Sequence, residues 1–373
     1  MKDLHIFFDD HGHYLEKMYE RLGAGREEQA LFVNISDVYR ANEQTTIVAL
    51  PARAPQVLAQ ISALHGPQRV FFHPFHRAWG PFLLDRLREK WRDSRKIWVF
   101  WSYELYGLPA FSANAYEPFS AHFTWRRRVA GRFARFFTEA IRAASGRPFY
   151  RLSHFQHAVG QLDEMRSFLR ADYEATRRLL GVAPRRHAYM SYLSLSQMIP
   201  AGLATPGASA DWIMLNHAAA PEGNHMEILE RLARMGGAQK VLIPLAYGSA
   251  AYGARIQAAA ERLLKERAVV LSEFMPAANY FQTLQQVQYA VFNHKIQQGL
   301  GNLLGLLANG CKVFLRAESP AYKEFLSWGL RVYDIADLNA QALYTPLKPD
   351  EAAHNRKLLE ERFSEAAVGD LWR

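Results

Sequence analysis

The sequence predicts an α/β protein made of two doubly wound parallel-sheet domains. Three observations carry this. Short continuous apolar runs alternate with helical runs along most of the 373 residues, as parallel strands covered on both faces require. The rhythm breaks from Ile199-Pro200-Ala201-Gly202 to Pro206-Gly207, a linker-like stretch, and then restarts. Hydrophobic residues make up 49% of the chain, enough for two cores, and no low-complexity tract interrupts them.

In the first half the expected strands are Leu4–Phe8, Ala30–Ile35, Thr45–Leu50, Val70–His73 and Ile97–Trp101. Helices are expected around Tyr14–Leu22, Pro55–Leu64 and Pro81–Trp91. A Pro/Ala/Ser/aromatic loop then runs from about Gly107 to His122. After Gly146-Arg147-Pro148 come a strand at Phe149–Leu152, a long helix at Leu162–Leu180 and a strand at His187–Leu193. The second half supplies strands at Trp212–Leu215, Lys240–Leu245, Val269–Ser272, Tyr289–Phe292, Lys312–Leu315 and Arg331–Tyr333. Helices fall between them at Met226–Met235, Tyr252–Lys265, Asn279–Gln288, Leu300–Leu307 and Ala321–Trp328, and a charged helix, Asp350–Glu365, closes the chain. The expected boundaries are 1–200 for the first domain, with a basic helical insertion near 109–147, then 208–345 for the second and 346–373 for a helical tail. In such folds ligands sit at the carboxyl ends of the strands, here expected to face an interdomain cleft.

The formal charge is +9, from 45 Lys and Arg against 36 Asp and Glu, and it is concentrated. Between Phe123 and Arg147 stand seven arginines and a single acid, Glu139. Trp125, Val129, Phe133, Phe136, Phe137 and Ile141 keep helical spacing there, with Arg126, Arg127, Arg128, Arg132 and Arg135 on the flanks. This reads either as a helix packed on the first domain with a solvated basic rim or as a helix laid on an anionic membrane surface. Nucleic acid is not expected, because no RNA or DNA module is present. The lone cysteine, Cys311, excludes an internal disulfide and a Cys-based zinc cluster and reads as a small core residue. MKDLHIFFDD lacks a signal-peptide layout, and no apolar run reaches the roughly 18 residues of a spanning helix, so the expectation is a cytoplasmic protein, free or membrane-bound at its surface.

Tyr289 to Phe325 holds the most informative stretch. An apolar strand leads into the polar turn Asn293–Gln298, Gly299 and Gly301 open an apolar helix, and Asn309-Gly310 end it. A turn of this kind presents unpaired N–H groups and a helix dipole to an anion such as a diphosphate. GLGN is also compatible with glycines that serve only close packing. The other strand ends offer Asp9, Asp10, His11 and His13, then His73 and His76, then Ser102, Tyr103, Glu104 and Tyr106 in the first half. In the second half they offer Asn216 and His217, Tyr247 and Gly248, Glu273 to Pro276, Lys295 to Gly301, and Glu318. Acids and histidines mark the first set, amides and glycines the second, which suggests a proton-transfer half and an anion-holding half. Asp9 to His13 reads as a metal cluster or as a helix-capping turn, His73 as a site residue or a buried turn residue, and Glu104 as a base or an arginine partner. No HExxH, GxSxG or P-loop sequence is present.

The segments VFFHPF, IWVFWSYELY, NHAAAPEGNH, VLIPLAYG, LSEFMP, QQGLGN and FLRAESPAYKE, in this order, resemble the TDP-N-acetylfucosamine:lipid II N-acetylfucosaminyltransferase family, glycosyltransferase family 56. The likeness covers most of the second domain and the fourth and fifth strands of the first. It implies a GT-B glycosyltransferase that takes a TDP-linked 4-amino-4,6-dideoxyhexose to an undecaprenyl-diphosphate-linked saccharide in enterobacterial common antigen synthesis. The matching positions are His73, Trp101, Glu104 and Tyr106, then Asn216, Asn224, Pro244, Tyr247, Gln297, Gln298, Gly299, Gly301, Arg316, Glu318 and Pro320, with Asp10 and His13 a looser match. Ile296 stands where the family has a basic residue, with Lys295 one place earlier, and Glu104 stands where it has aspartate.

Roles follow from what glycosyl transfer needs. If the reaction inverts, Glu104 is the expected base for the acceptor hydroxyl, with Asp10 or His13 second, and His73, Trp101 and Tyr106 border the acceptor. No DxD-like pair is evident in the second half, so no cofactor or metal is expected. The leaving diphosphate would meet Lys295, Gln297, Gln298, Gly299, Gly301 and Asn302 with Asn216, His217 and Tyr247. Glu318 would accept from the deoxyribose, and Phe274, Met275 and Pro276 would border thymine. The expected partners are the TDP-sugar, the polyprenyl-linked acceptor and the inner face of the bacterial inner membrane, through Trp125, Arg126, Arg127, Arg128, Arg132, Phe133, Arg135 and Phe136. The rivals are a nucleotide-sugar epimerase or hydrolase on the same frame and a non-catalytic assembly partner.

Overall fold

The computed structural model describes residues 2–8, 30–36, 47–64, 66–108, 110–125, 147–199 and 210–372. The chain divides into two compact units, one of Met1–Leu108 with Val129–Tyr192, the other of Pro109–Arg128 with Leu193–Arg373.

The first unit is built on a seven-stranded sheet in the order β3-β2-β1-β4-β5-β6-β7. Its strands are β1 (Asp3–Phe8), β2 (Ala30–Ile35), β3 (Ile47–Leu50), β4 (Arg69–His73), β5 (Arg95–Val99), β6 (Glu164–Ser167) and β7 (Arg186–Tyr189). All neighbours pair in parallel. The inner strands β1, β2, β4 and β5 are mostly apolar and buried, and Phe7, Phe8, Phe71, Phe72, Phe75, Trp98 and Phe155 are fully buried. Two expectations fail here. Phe149–Leu152 is not a strand: Leu152 opens a helix, Leu152–Gly160. The sixth strand lies inside the expected long helix, which begins only at Arg170. Glu164 and Arg166 hid it. Both are buried in the sheet and bonded to each other at 2.6 Å, with Arg186 at 2.8 Å and Arg95 also on Glu164. A charged pair that satisfies itself can occupy strand positions where the apolar pattern predicts none.

The second unit carries β8 (Trp212–Leu215), β9 (Val241–Pro244), β10 (Ala268–Leu271), β11 (Val287–Phe292), β12 (Lys312–Leu315) and β13 (Tyr333–Asp334), ordered β10-β9-β8-β11-β12-β13. Again every pairing is parallel. The strand order reverses between β8 and β11, so the loops after these two strands diverge and leave a crevice at their carboxyl ends. The helix Leu300–Ala308 connects β11 to β12, and seven of its nine residues are buried. It is apolar all round because the helices Leu195–Met198 and Pro349–Arg362 pack on it from outside. The closing helices are thus part of this unit. Cys311 is fully buried, as expected of a core residue.

The sequence reading put the segment near 109–147 in the first domain, but Pro109–Arg128 groups with the second unit. The reason is packing. Phe119 and Phe123 lie against the core of the second sheet, Phe123 edge-on to Tyr252 at 5.2 Å, and Ser120 is fully buried 3.3 Å from the Tyr252 hydroxyl. The arginine-rich residues Arg126, Arg127, Arg128, Arg132, Phe133, Arg135 and Phe136, together with Asp10 and His13, lie outside the described residues. Trp125 is described and is 57% exposed.

Candidate active site

At the switch point of the second unit the chain leaves β8 through Asn216 and His217 and leaves β11 through Asn293 to Gln298. Asn216 and Asn224 both have left-handed backbones, φ +54° and +49°, which asparagine tolerates better than other side chains. Their amides hold the corner together. Asn216 Nδ2 donates to the Gly223 carbonyl at 2.9 Å and its Oδ1 accepts from Asn293 N at 2.9 Å. Asn224 Nδ2 donates to the Asn293 carbonyl, and Asn293 Nδ2 to the Asn224 carbonyl. All three are fully buried. Asn216, expected to touch the donor, is therefore committed to the scaffold beneath the site.

On this scaffold stands the helix start. Gly299 caps Leu300–Ala308 with φ +64°. A Cβ there would fall 2.6 Å from His217 Nδ1, so glycine is required both by conformation and by the imidazole. Gly301 is exposed, and a Cβ on it would meet nothing within 4 Å. The first N–H groups of a helix have no intrahelical acceptor. His217 is 9% exposed, its ring parallel to Phe292 and 5.2 Å from His294. Among the described residues its Nδ1 has no partner, nor has either ring nitrogen of His294, Nε2 of His225 or the buried Oε1 of Gln298. Burial pushes His217 down to about 4 and His225 to about 3, and it holds His294 well below the ordinary range. These are neutral imidazoles with unused hydrogen-bonding capacity, and His217 stands beside the helix N-terminus, the arrangement of a polar ligand site.

Two cations complete it. Arg316 follows β12, its Nε donating to Asn293 Oδ1 at 2.7 Å. Lys295 stands in the loop before the helix, and both cations meet Glu117, at 2.7 Å for Lys295 and 2.9 Å for Arg316. Arg316 was a family-matching position without a role, and Glu117 was not singled out at all; their pairing is long-range and leaves no local pattern. Asn302 accepts from the Tyr280 hydroxyl at 2.8 Å. Tyr247 is 56% exposed and edge-on to His217, Phe274 is 85% exposed, and Met275 and Gln297 are half-buried. Glu318 is exposed, 3.6 Å from Arg316.

In the first unit Ser102 takes φ +83° directly after β5, turning the chain into the short helix Tyr103–Tyr106. Glu104 is 3% exposed there. Its Oε1 accepts from Trp98 Nε1 at 2.9 Å and from Trp101 N at 2.8 Å, and among the described residues its Oε2 has no partner. Burial outweighs those hydrogen bonds and raises its pKa to about 7, the value suited to a general base. His73 and Tyr106 do not fit the acceptor role expected of them. His73 is fully buried between His5 Nδ1 and the Tyr192 hydroxyl, each at 3.0 Å, and Tyr106 is buried with its hydroxyl on Asp172 at 2.7 Å. Trp101 is half-buried, its indole N–H on Tyr192. A separate cavity of about 560 Å³ in this unit is edged by Arg77, Arg86, Arg88 and Arg147. Among the described residues no three His, Cys, Asp or Glu side chains are grouped to hold a metal ion, and no helix is long and apolar enough to cross a membrane.

The architecture is shared with solved enzymes. Sucrose-phosphate synthase from Thermosynechococcus elongatus superposes with a TM-score of 0.64 at 11% identity, over 100% of this chain and 97% of that one. Anabaena Alr3699/HepE in complex with UDP and glucose gives 0.63 at 10% identity, over 98% and 97%. The lipopolysaccharide outer core galactosyltransferase WaaB gives 0.54 at 12%, over 100% and 98%. The fold is therefore that of the GT-B glycosyltransferases. No curated protein matches the sequence. Residues 172–346 match the family described as 4-alpha-L-fucosyltransferase glycosyl transferase group 56.

Proposed function

We propose that the protein transfers a 4-acylamino-4,6-dideoxyhexose, of the N-acetylfucosamine type, from TDP to a saccharide carried on a polyprenyl diphosphate, in bacterial surface-polysaccharide synthesis. The observation that carries this reading is the Gly299–Asn302 helix start beside His217, whose Nδ1 has no partner among the described residues, with Lys295 in the loop that leads into it and Arg316 paired to the same Glu117 oxygen as Lys295. Breaking the anomeric C–O bond leaves negative charge on the nucleoside diphosphate. Preorganised amides, neutral imidazole donors and two cations stabilise that charge without a metal. The UDP and glucose bound to Anabaena HepE support the donor chemistry, and the fucosyl description of the matched family supports a deoxyhexose. Glu318 and the Phe274–Pro276 edge receive the deoxyribose and thymine. The acceptor hydroxyl loses its proton to Glu104, whose buried carboxyl has the matching acidity. The arginine-rich segment 126–142 holds the enzyme on the anionic cytoplasmic face of the inner membrane.

A calorimetric titration with TDP and UDP, followed by a transfer assay in EDTA with a polyprenyl-diphosphate disaccharide, tests the reading. TDP preferred over UDP, and turnover only when acceptor is present, are expected. Donor breakdown without acceptor, or no binding of either nucleotide, overturns it.

A further inference from the structure

The Glu117 carboxylate belongs to a stretch that precedes the second sheet by nearly a hundred residues in sequence, yet it lies at that sheet's strand ends. Its backbone N–H donates to Asn224 Oδ1 at 2.7 Å, and Asn224 Nδ2 in turn donates to the Ala115 carbonyl at 3.0 Å. Tyr116 donates to Glu222 at 2.8 Å. The main chain is thereby fixed to the asparagine scaffold, and only the side chain is free to turn. One oxygen, Oε1, receives both Lys295 Nζ and Arg316 Nη2. Burial alone would raise this carboxyl, but the two cations outweigh it and hold it below its usual range, so it is ionised at neutral pH. An oxygen shared by an ammonium and a guanidinium, with the ammonium in the loop that leads into a glycine helix start, has the geometry of a phosphoryl oxygen in an anion site.

We propose that Glu117 is an internal counter-anion that sets the specificity of this site, occupying the Lys295–Arg316 pair until a ligand that also engages the Gly299–Asn302 amides displaces it. The inference rests on the diphosphate reading above. A small anion meets only the cations and must compete with a tethered carboxylate of high effective concentration. A nucleoside diphosphate gains the amides and the nucleoside contacts as well, so it alone overcomes the competitor. The same competition weakens the hold on the spent diphosphate and favours its release.

Calorimetry with TDP and with inorganic pyrophosphate, on the native protein and on Glu117→Gln, tests this. The glutamine variant should bind TDP about tenfold or more tightly and should bind pyrophosphate where the native protein does not. In the double variant Glu117→Gln/Lys295→Gln the gain should collapse, which separates competition from a general change of fold; Glu117→Asp, which keeps the charge on a shorter stem, should fall between native and glutamine. Equal or weaker TDP and pyrophosphate binding by Glu117→Gln overturns the counter-anion. Pyrophosphate gained by Glu117→Gln with no TDP binding by either protein keeps the counter-anion and overturns the nucleotide reading instead.

Discussion

Gly299 and His217 are in van der Waals contact, with no room between them for one further methyl group: a Cβ on residue 299 would lie 2.6 Å from the imidazole Nδ1. The contact fixes where the helix starts and keeps a neutral ring nitrogen beside its first amides. Replacing Gly299 by alanine adds a left-handed alanine at φ +64°, costing about 1–2 kcal/mol in backbone strain, and a steric clash besides. Lower thermal stability together with a loss of TDP affinity of tenfold or more is the expected result, read by calorimetry and a melting curve.

Gly301 separates packing from binding. A side chain there meets nothing, and alanine is better than glycine inside a helix by about 0.5–1 kcal/mol. Gly301→Ala should therefore melt at or above the native temperature while binding TDP more weakly, because the methyl group stands where the diphosphate approaches. A variant that is both stable and unimpaired would remove Gly301 from the site.

Glu104 is expected to set the pH profile. With its carboxyl raised to about 7 by burial, transfer should rise with pH through about 7 and level off beyond it. Glu104→Gln should abolish transfer, remove that rise and leave TDP binding intact. The stability effect has a definite sign. The folded protein binds the Glu104 proton more tightly than the unfolded chain, so this group contributes stability below pH about 4.5 that is lost as pH rises through about 7. Glu104→Gln should consequently stabilise the protein at pH 8, by on the order of 3 kcal/mol at most, and have little effect at pH 4.

The second-unit fold was legible in the sequence because its strands are short, continuous and apolar, and because Asn309-Gly310 punctuates them. The glycine corner was legible for the same local reason. What was hidden is held by long-range polar contacts. The strand at Glu164–Ser167 reads as helix until Arg95, Arg166 and Arg186 are seen on Glu164. Asn216 looks like a ligand contact until its two partners are found in the backbone, and His73 looks like a site residue until His5 and Tyr192 take both nitrogens. Glu117 carried no signal, since its meaning lies in residues far along the chain.

The buried ion cluster of the first unit predicts its own variant. Glu164→Leu takes away the buried carboxylate on which Arg95, Arg166 and Arg186 converge, which should destabilise the protein by about 3–5 kcal/mol, measured by denaturant unfolding. The double change Glu164→Leu/Arg166→Met should recover most of that loss, since it removes the buried positive charge together with the carboxylate that balanced it. No recovery would mean that the cluster does not depend on charge balance.

A crystal structure of the TDP complex tests the central claim most directly. The account predicts the diphosphate within hydrogen-bonding distance of the Gly301 and Asn302 amides, with Lys295 and Arg316 on its oxygens. A diphosphate bound elsewhere, for instance in the arginine-edged cavity of the first unit beside Arg77 and Arg147, would contradict it.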